Sequence, residues 1–170
     1  MKALMIVAPE MFRDEEYAGP KAVLEAAGIA TVTASSNAGT ASGRFGLKAK
    51  IDLTLDKVKA SDYDAAIFVG GPGSHDYFDD PEALRIAKEA AGGKVIASIC
   101  SAGGILANAG VLKGRKATVF PTEVPLIKSK GAIYTDTGVV TDGNLITADG
   151  PQNATKFGEA IVKALTDGKR

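Results

Sequence analysis

Apolar runs alternate with amphipathic stretches along this chain, and the alternation reads as strands and helices taken in turn. Residues 3–8 are almost wholly apolar, the pattern of a parallel strand buried on both faces. A loop dense in carboxylates covers residues 9–16, and residues 18–27 read as a helix closed by Gly28. A second strand is expected over 31–34, and the stretch 45–53, with Gly43 and Gly46 beside it, as an excursion of short strands. Residues 65–69 form another buried strand that runs directly into Gly70-Gly71-Pro72-Gly73.

Asp80 or Asp79 is suited to cap the next helix, with Pro81 at its first position and Glu82 in its first turn. That helix ends at Gly92-Gly93. A strand rich in β-branched residues (Val95, Ile96, Ile99) then stops at Cys100, where small residues introduce a further helix. A strand at 117–120 and a short helix at 123–129 follow. Strands at 139–141 and 145–147 flank Asp142-Gly143-Asn144 as a hairpin with a small bulge or three-residue loop. The last helix, 154–165, places Phe157, Ile161, Ala164 and Leu165 on one face. Strands alternating with helices specify an α/β fold: a flavodoxin-like, doubly wound, mostly parallel sheet with helices on both faces, built as one domain over residues 1–170.

Composition narrows the function classes. Twenty basic and twenty acidic residues cancel, so no net field draws the chain to nucleic acid or to a membrane. One cysteine excludes an internal disulfide, and with one histidine it makes a Cys/His metal cage implausible. No apolar run approaches bilayer length, and the N-terminus is too short for a signal peptide's apolar region and cleavage site. The expectation is a cytoplasmic protein with its thiol reduced and no metal or cofactor.

In such sheets ligands bind beyond the carboxyl ends of the strands. The residues that follow the strands there are Glu10, Asp14, Glu15 and Glu16; then Gly70, Gly71, Gly73 and His75; then Cys100; then Asp149, Gly150 and Pro151. Cys100 sits where a strand turns sharply into a helix, so its thiol faces orphan amides that favour thiolate and can hold an oxyanion. The competing role is that of a buried core cysteine. The Gly70–Gly73 turn lacks the spacing of a nucleotide-binding loop. It serves either to bring amides to a reacting oxygen, together with the Ser101 N–H, or simply as a tight turn. His75 is the only available imidazole, either a base for the thiol or a brace for its loop. A buried carboxyl beside a thiolate would keep its proton and donate it, and Glu16 is the first choice for that part, Glu15 the second.

At residues 97–103, Ala-Ser-Ile-Cys-Ser-Ala-Gly, with Gly70-Gly71 upstream and Glu16 before a helix-starting Pro20, the chain resembles the ThiJ/PfpI superfamily. That superfamily includes the parkinsonism-associated deglycase and the archaeal intracellular proteases. Residues 51–58, 110–115 and 150–151 look like family segments too, so the resemblance covers nearly the whole chain. It implies a flavodoxin-like sandwich, Cys100 as the elbow cysteine, Glu16 as its hydrogen-bonding acid, and Gly71 and Ser101 as amide donors to an oxyanion. It also implies a homodimer or higher homo-oligomer. Two positions depart from the family pattern. Protease-like members carry His directly after the cysteine, where this chain has Ser101. Deglycase-like members carry His before the proline, where this chain has Phe120-Pro121. Asp149 stands where relatives of the deglycase type have Arg.

The function this implies is a Cys100-dependent, cofactor-free enzyme of glyoxalase III or deglycase type, with a small reactive aldehyde such as methylglyoxal, or a glycated compound, as its substrate. The alternatives are a redox sensor that oxidises at Cys100 and a peptidase or amidase built on the same elbow.

Overall fold

Alternate side chains of a strand point to opposite faces, and the first strand buries both sets. Leu4, Ile6 and Ala8 join one apolar cluster while Ala3, Met5 and Val7 join another. The computed structural model describes residues 1–167, and in it this division runs through the whole central sheet. In chain order the elements are β1 (Lys2–Ile6), β2 (Glu10–Phe12), α1 (Asp14–Ala26), β3 (Ala30–Ser35), β4 (Gly39–Gly43), β5 (Lys48–Ile51), β6 (Leu53–Thr54), β7 (Ala65–Phe68), α2 (Pro81–Ala91), β8 (Val95–Ile99) and α3 (Gly103–Asn108). The remainder comprises β9 (Lys116–Ala117), α4 (Val124–Ser129), β10 (Ile133–Tyr134), β11 (Val139–Asp142), β12 (Leu145–Ala148) and α5 (Ala154–Asp167).

Seven strands form the main sheet in the order β11-β12-β8-β7-β1-β3-β6. All neighbouring pairs are parallel except β11 with β12, which closes one edge as an antiparallel hairpin. The α1 and α5 side chains Tyr17, Leu24, Phe157 and Ile161 pack on one face. Those of α2, α3 and α4, among them Ile86, Leu106 and Ile127, pack on the other. This is the flavodoxin-like, doubly wound arrangement that the alternating pattern specifies. The chain leaves β1 toward β3 on one side and returns to β7 on the other, so the winding reverses between β1 and β7. The crevice at the carboxyl end of these two strands is where such sheets bind ligands.

Four local expectations change. The first helix starts at Asp14, so Glu16 lies in its first turn, and Pro20 is inside the helix rather than at its start. Pro20 has no N–H for the Glu16 carbonyl one turn back. The excursion near residue 45 begins earlier, as β4 and β5 pair antiparallel and β2 adds parallel to β4 in a small separate sheet. Of the expected strand at 117–120 only Ala117 is in a ladder, as the second residue of β9. Beyond it Thr118 N–H donates to Thr147 Oγ1 (2.9 Å) and Phe120 N–H to the Cys100 carbonyl (3.2 Å), single ties in place of continuous pairing. The hairpin register pairs Asp142 with Leu145, which leaves a two-residue connection, Gly143-Asn144, with Gly143 at φ 61°. The Asp80 cap is present, with its carboxylate accepting from the Ala83 N–H at 2.9 Å.

The α5 ring of Phe157, wholly buried between that helix and the sheet, is a sensitive reporter of this packing. Phe157→Ala should cost about 3–5 kcal/mol through lost apolar burial and the cavity left behind. Urea unfolding should show this as a lowered midpoint with an unchanged slope.

Candidate functional site

Cys100 follows the last residue of β8 and adopts φ 61°, left-handed backbone that L residues rarely occupy. The turn passes into one 3-10 turn, Cys100–Ala102, and then α3. Met11, at φ 64° in the irregular β2–β4 pairing, is the other residue besides glycine with positive φ among the described residues. Between these two strained points lie Gly70 and Gly71. A Cβ on Gly70 would stand 2.5 Å from the Ile99 carbonyl, 2.6 Å from Glu16 Oε1 and 2.7 Å from Cys100 Cβ. Only a glycine allows the carboxyl and the thiol-bearing carbon to crowd the same backbone atom.

Gly71 has φ 105°, and a side chain there would strike the Arg13 amide and the Met11 carbonyl. The Gly70 carbonyl accepts from Arg13 N–H at 2.9 Å. Because a trans peptide holds its C=O and N–H in opposite directions, this bond turns the Gly71 N–H toward Cys100. The amides of Ser101 and Gly71 both adjoin the sulfur. The Gly71 carbonyl is fixed in turn by Ser74 Oγ (2.8 Å) and Ser101 Oγ (3.0 Å), whose oxygens lie 2.8 Å apart. Ser74 escaped the sequence reading, although a hydroxyl three residues beyond a glycine turn is a known way of tying that turn.

Glu16 is completely buried, and Cys100 is 7% exposed. No donor closes a full hydrogen bond on either Glu16 oxygen among the described residues, although the Cys100 thiol and the Gly70 N–H adjoin the carboxyl. Burial therefore dominates and raises Glu16 from 4.5 to about 7, against the pull of the thiol contact and of Arg13. Burial, and then the charge of Glu16, pushes the Cys100 thiol up to about 12, while the Ser101 and Gly71 amides pull it down. The sequence led us to expect a lowered thiol, but two amides do not outweigh desolvation beside a carboxylate. The two groups titrate as a pair that carries one negative charge above pH 7, and Glu16 holds the remaining proton whenever the sulfur is thiolate. Glu15, the second choice for this part, points away: its carboxylate takes Arg13 Nε (3.0 Å) and Nη2 (2.8 Å).

The thiol opens on a cavity of about 330 Å³ lined by Arg13, Glu16, Arg44, Gly71, His75 and Ser101, with Phe120, Thr122, Pro151 and Gln152 completing the wall. A larger hollow of about 590 Å³ lies at the opposite edge of the sheet, around Lys94, Gly143 and Lys163, away from the thiol. His75 shares the cavity with Cys100 without hydrogen-bonding it. Its Nδ1 donates to the Pro72 carbonyl (3.1 Å), which fixes Nε2 toward Glu123 Oε2 (3.5 Å), and its ring lies against Phe78. The structure thus brings Cys100, Glu16, Gly70, Gly71 and Ser101 together and holds His75 at the cavity wall. It adds Arg13, Arg44 and Glu123, charged loop residues that local sequence does not distinguish from solvated ones. Among the described residues no group of three or more His, Cys, Asp or Glu side chains is placed to hold a metal ion. No helix there is long and apolar enough to cross a membrane.

Comparison with known proteins agrees with this architecture. The DJ-1/PfpI family model matches residues 1–164. A deglycase of Pyrococcus horikoshii is 36% identical over 166 residues, covering 97% of this chain and 99% of that protein. An uncharacterised protein of Methanocaldococcus jannaschii is 42% identical over 168 residues, 96% of this chain and 82% of that protein. Among solved structures, a ThiJ/PfpI domain protein from Brachyspira murdochii superposes with a TM-score of 0.95 at 34% identity, covering 98% and 96% of the two chains. The chain belongs to the DJ-1/PfpI family.

Two substitutions probe the pair. Gly70→Ala should destabilise by about 1–3 kcal/mol through overpacking, and a crystal structure of the variant should show Glu16 and Cys100 forced apart. Glu16→Gln tests the held proton through stability. From about pH 4.5 to about 7 the unfolded chain ionises Glu16 while the folded chain resists, so wild-type stability falls as pH rises through that window. The neutral variant escapes this loss and should gain on wild type by up to ~3 kcal/mol between pH 4 and pH 8. Urea unfolding at the two pH values measures it, and a gap that fails to widen would count against a carboxyl that keeps its proton.

Proposed function

We propose that this chain is a cofactor-free thiol enzyme of deglycase type, acting on small reactive aldehydes such as methylglyoxal and on their adducts. The observation that carries the reading is the Cys100–Glu16 pair beneath the Ser101 and Gly71 amides, at the mouth of a small cavity. Deglycase is also the name of relatives from Pyrococcus horikoshii and Pyrococcus furiosus.

The thiolate attacks the aldehyde carbon, and the carbonyl electron pair moves to oxygen, where the two amides hold it. Glu16 gives that oxygen its proton and, as carboxylate, can then take the proton from the former aldehyde carbon. Reprotonation at the neighbouring carbon leaves a thioester and a new hydroxyl: the aldehyde carbon is oxidised as the adjacent ketone is reduced. Water hydrolyses the thioester, releasing a hydroxy acid and restoring the thiol. Each electron pair is accounted for within the substrate, so no external oxidant or reductant enters. The engagement of His75 with Pro72 and Glu123 favours this carboxyl-tuned thiol over a peptidase or amidase that depends on a Cys–His pair.

The test is D-lactate formation from methylglyoxal without glutathione. Cys100→Ala should abolish it and Glu16→Gln should lower kcat by about a hundredfold or more. Wild-type turnover no greater than that of Cys100→Ala would overturn the proposal.

A further inference from the structure

One large apolar side chain lies where burial does not explain it. Phe45 is 64% exposed at the turn between β4 and β5, yet two guanidinium groups lie against its ring. Arg13 Cζ lies 4.9 Å from the ring centroid and Arg44 Cζ 5.5 Å. Both arginines line the cavity that contains Cys100. Two like charges on one ring repel, and the fold nevertheless fixes them there. Asp14 accepts the Phe45 N–H (3.0 Å) and the Leu47 N–H (2.9 Å), and the Arg44 N–H donates to the Phe12 carbonyl (2.8 Å). Gly43 lets the turn lie directly on the Asp14 carboxylate. The turn is therefore tied to the first turn of α1, the same turn that carries Glu16.

Both guanidinium groups of the cavity wall keep donors without a partner among the described residues. Glu15, which does not line the cavity, neutralises Arg13 through Nε and Nη2, and no acceptor takes Arg13 Nη1 among the described residues. Arg44 makes no ion pair with any described residue. The only carboxyl in the cavity wall is Glu16, which already shares its charge with the thiol. A flat guanidinium presents paired donors that match a carboxylate.

We propose that Arg44 and Arg13, braced on Phe45, form an oxyanion subsite that makes this cavity select small carbonyl compounds carrying a carboxylate. The carboxylate lies against the two guanidinium groups and the carbonyl carbon faces the Cys100 sulfur. The assignment deepens the reading of Cys100 as nucleophile and rests on it.

A test that does not require turnover compares alkylation of Cys100 by iodoacetate, which carries a carboxylate, with that by neutral iodoacetamide. In each the sulfur displaces iodide, forming one S–C bond as the C–I bond breaks. The iodoacetate-to-iodoacetamide rate ratio, read by intact mass, should exceed that of free cysteine and fall with added salt. Arg44→Gln, at an exposed position, should lower the ratio about fivefold or more, and Arg44→Lys should restore part of it. A wild-type ratio equal to that of free cysteine, or one that Arg44→Gln leaves unmoved, overturns the subsite. So does a thiol that neither reagent reaches in the folded protein. Lactate formation with an unmoved ratio would reject the subsite alone, and a shifted ratio without lactate formation would reject the aldehyde chemistry alone.

Discussion

A carboxyl group with no solvent exposure beside a nearly buried thiol is the constraint on which the rest of this molecule depends. Neither group has enough donors to ionise freely, and together they cannot both be charged without large cost. One proton must stay between them, and the surrounding backbone decides which atom the remaining negative charge occupies. The Ser101 and Gly71 amides face sulfur, while Glu16 receives little beyond the Gly70 N–H. Burial and the Glu16 charge hold the proton on sulfur in the resting pair, and the two amides lessen the cost of the thiolate form in which Glu16 carries the proton instead.

That arrangement needs tight backbone geometry, and the fold supplies it from its most rigid part. β1, β7 and β8 are central parallel strands buried on both faces. Their carboxyl ends deliver α1, the Gly70-Gly71 turn and Cys100 to one crevice. Backbone strain at Cys100, of order 1–3 kcal/mol, persists because the Phe120 amide, β8 and the close contact with Gly70 fix the turn. The same rigidity explains the absence of an imidazole at the sulfur. His75 follows the glycine turn closely, but the Pro72 carbonyl and Glu123 hold its ring at the cavity wall. The thiol is tuned by a carboxyl and two amides.

Much of this was legible in one dimension, for identifiable reasons. A strand's two-residue period and a helix's 3.6-residue period leave marks in any sequence, so β1, β7, β8, α2 and α5 were evident. The cysteine was evident because a β-branched run that ends at a nucleophile and small residues admits few geometries. Charged loop residues carry no such mark. Arg13 read as part of a carboxylate-dense loop in which Glu15 was only the second choice beside the thiol, and Arg44 and Phe45 as part of a vague excursion. Their meaning lies in ring, carboxylate and cavity contacts made between residues some thirty positions apart, such as Asp14 with Phe45. Pro20 misled for a related reason. Proline ordinarily marks a helix start, but here the first turn is held in helix by tertiary contacts of Asp14 and Glu16.

By itself the sequence determined the layered α/β fold and the gathering of the candidate residues at the carboxyl edge of the sheet, because periodicity is a local quantity. The pairing of Cys100 with Glu16 was implied by the family resemblance. Tertiary structure alone decided the protonation of that pair. Its ionisation depends on how much water is removed from both groups at once, and that is a property of the packed crevice. The tertiary fold likewise decided that His75 faces Glu123, that Ser74 locks the Gly71 carbonyl, and that two arginines share one exposed ring at the cavity mouth. Each of these rests on distances between segments far apart in the chain, which no local pattern encodes.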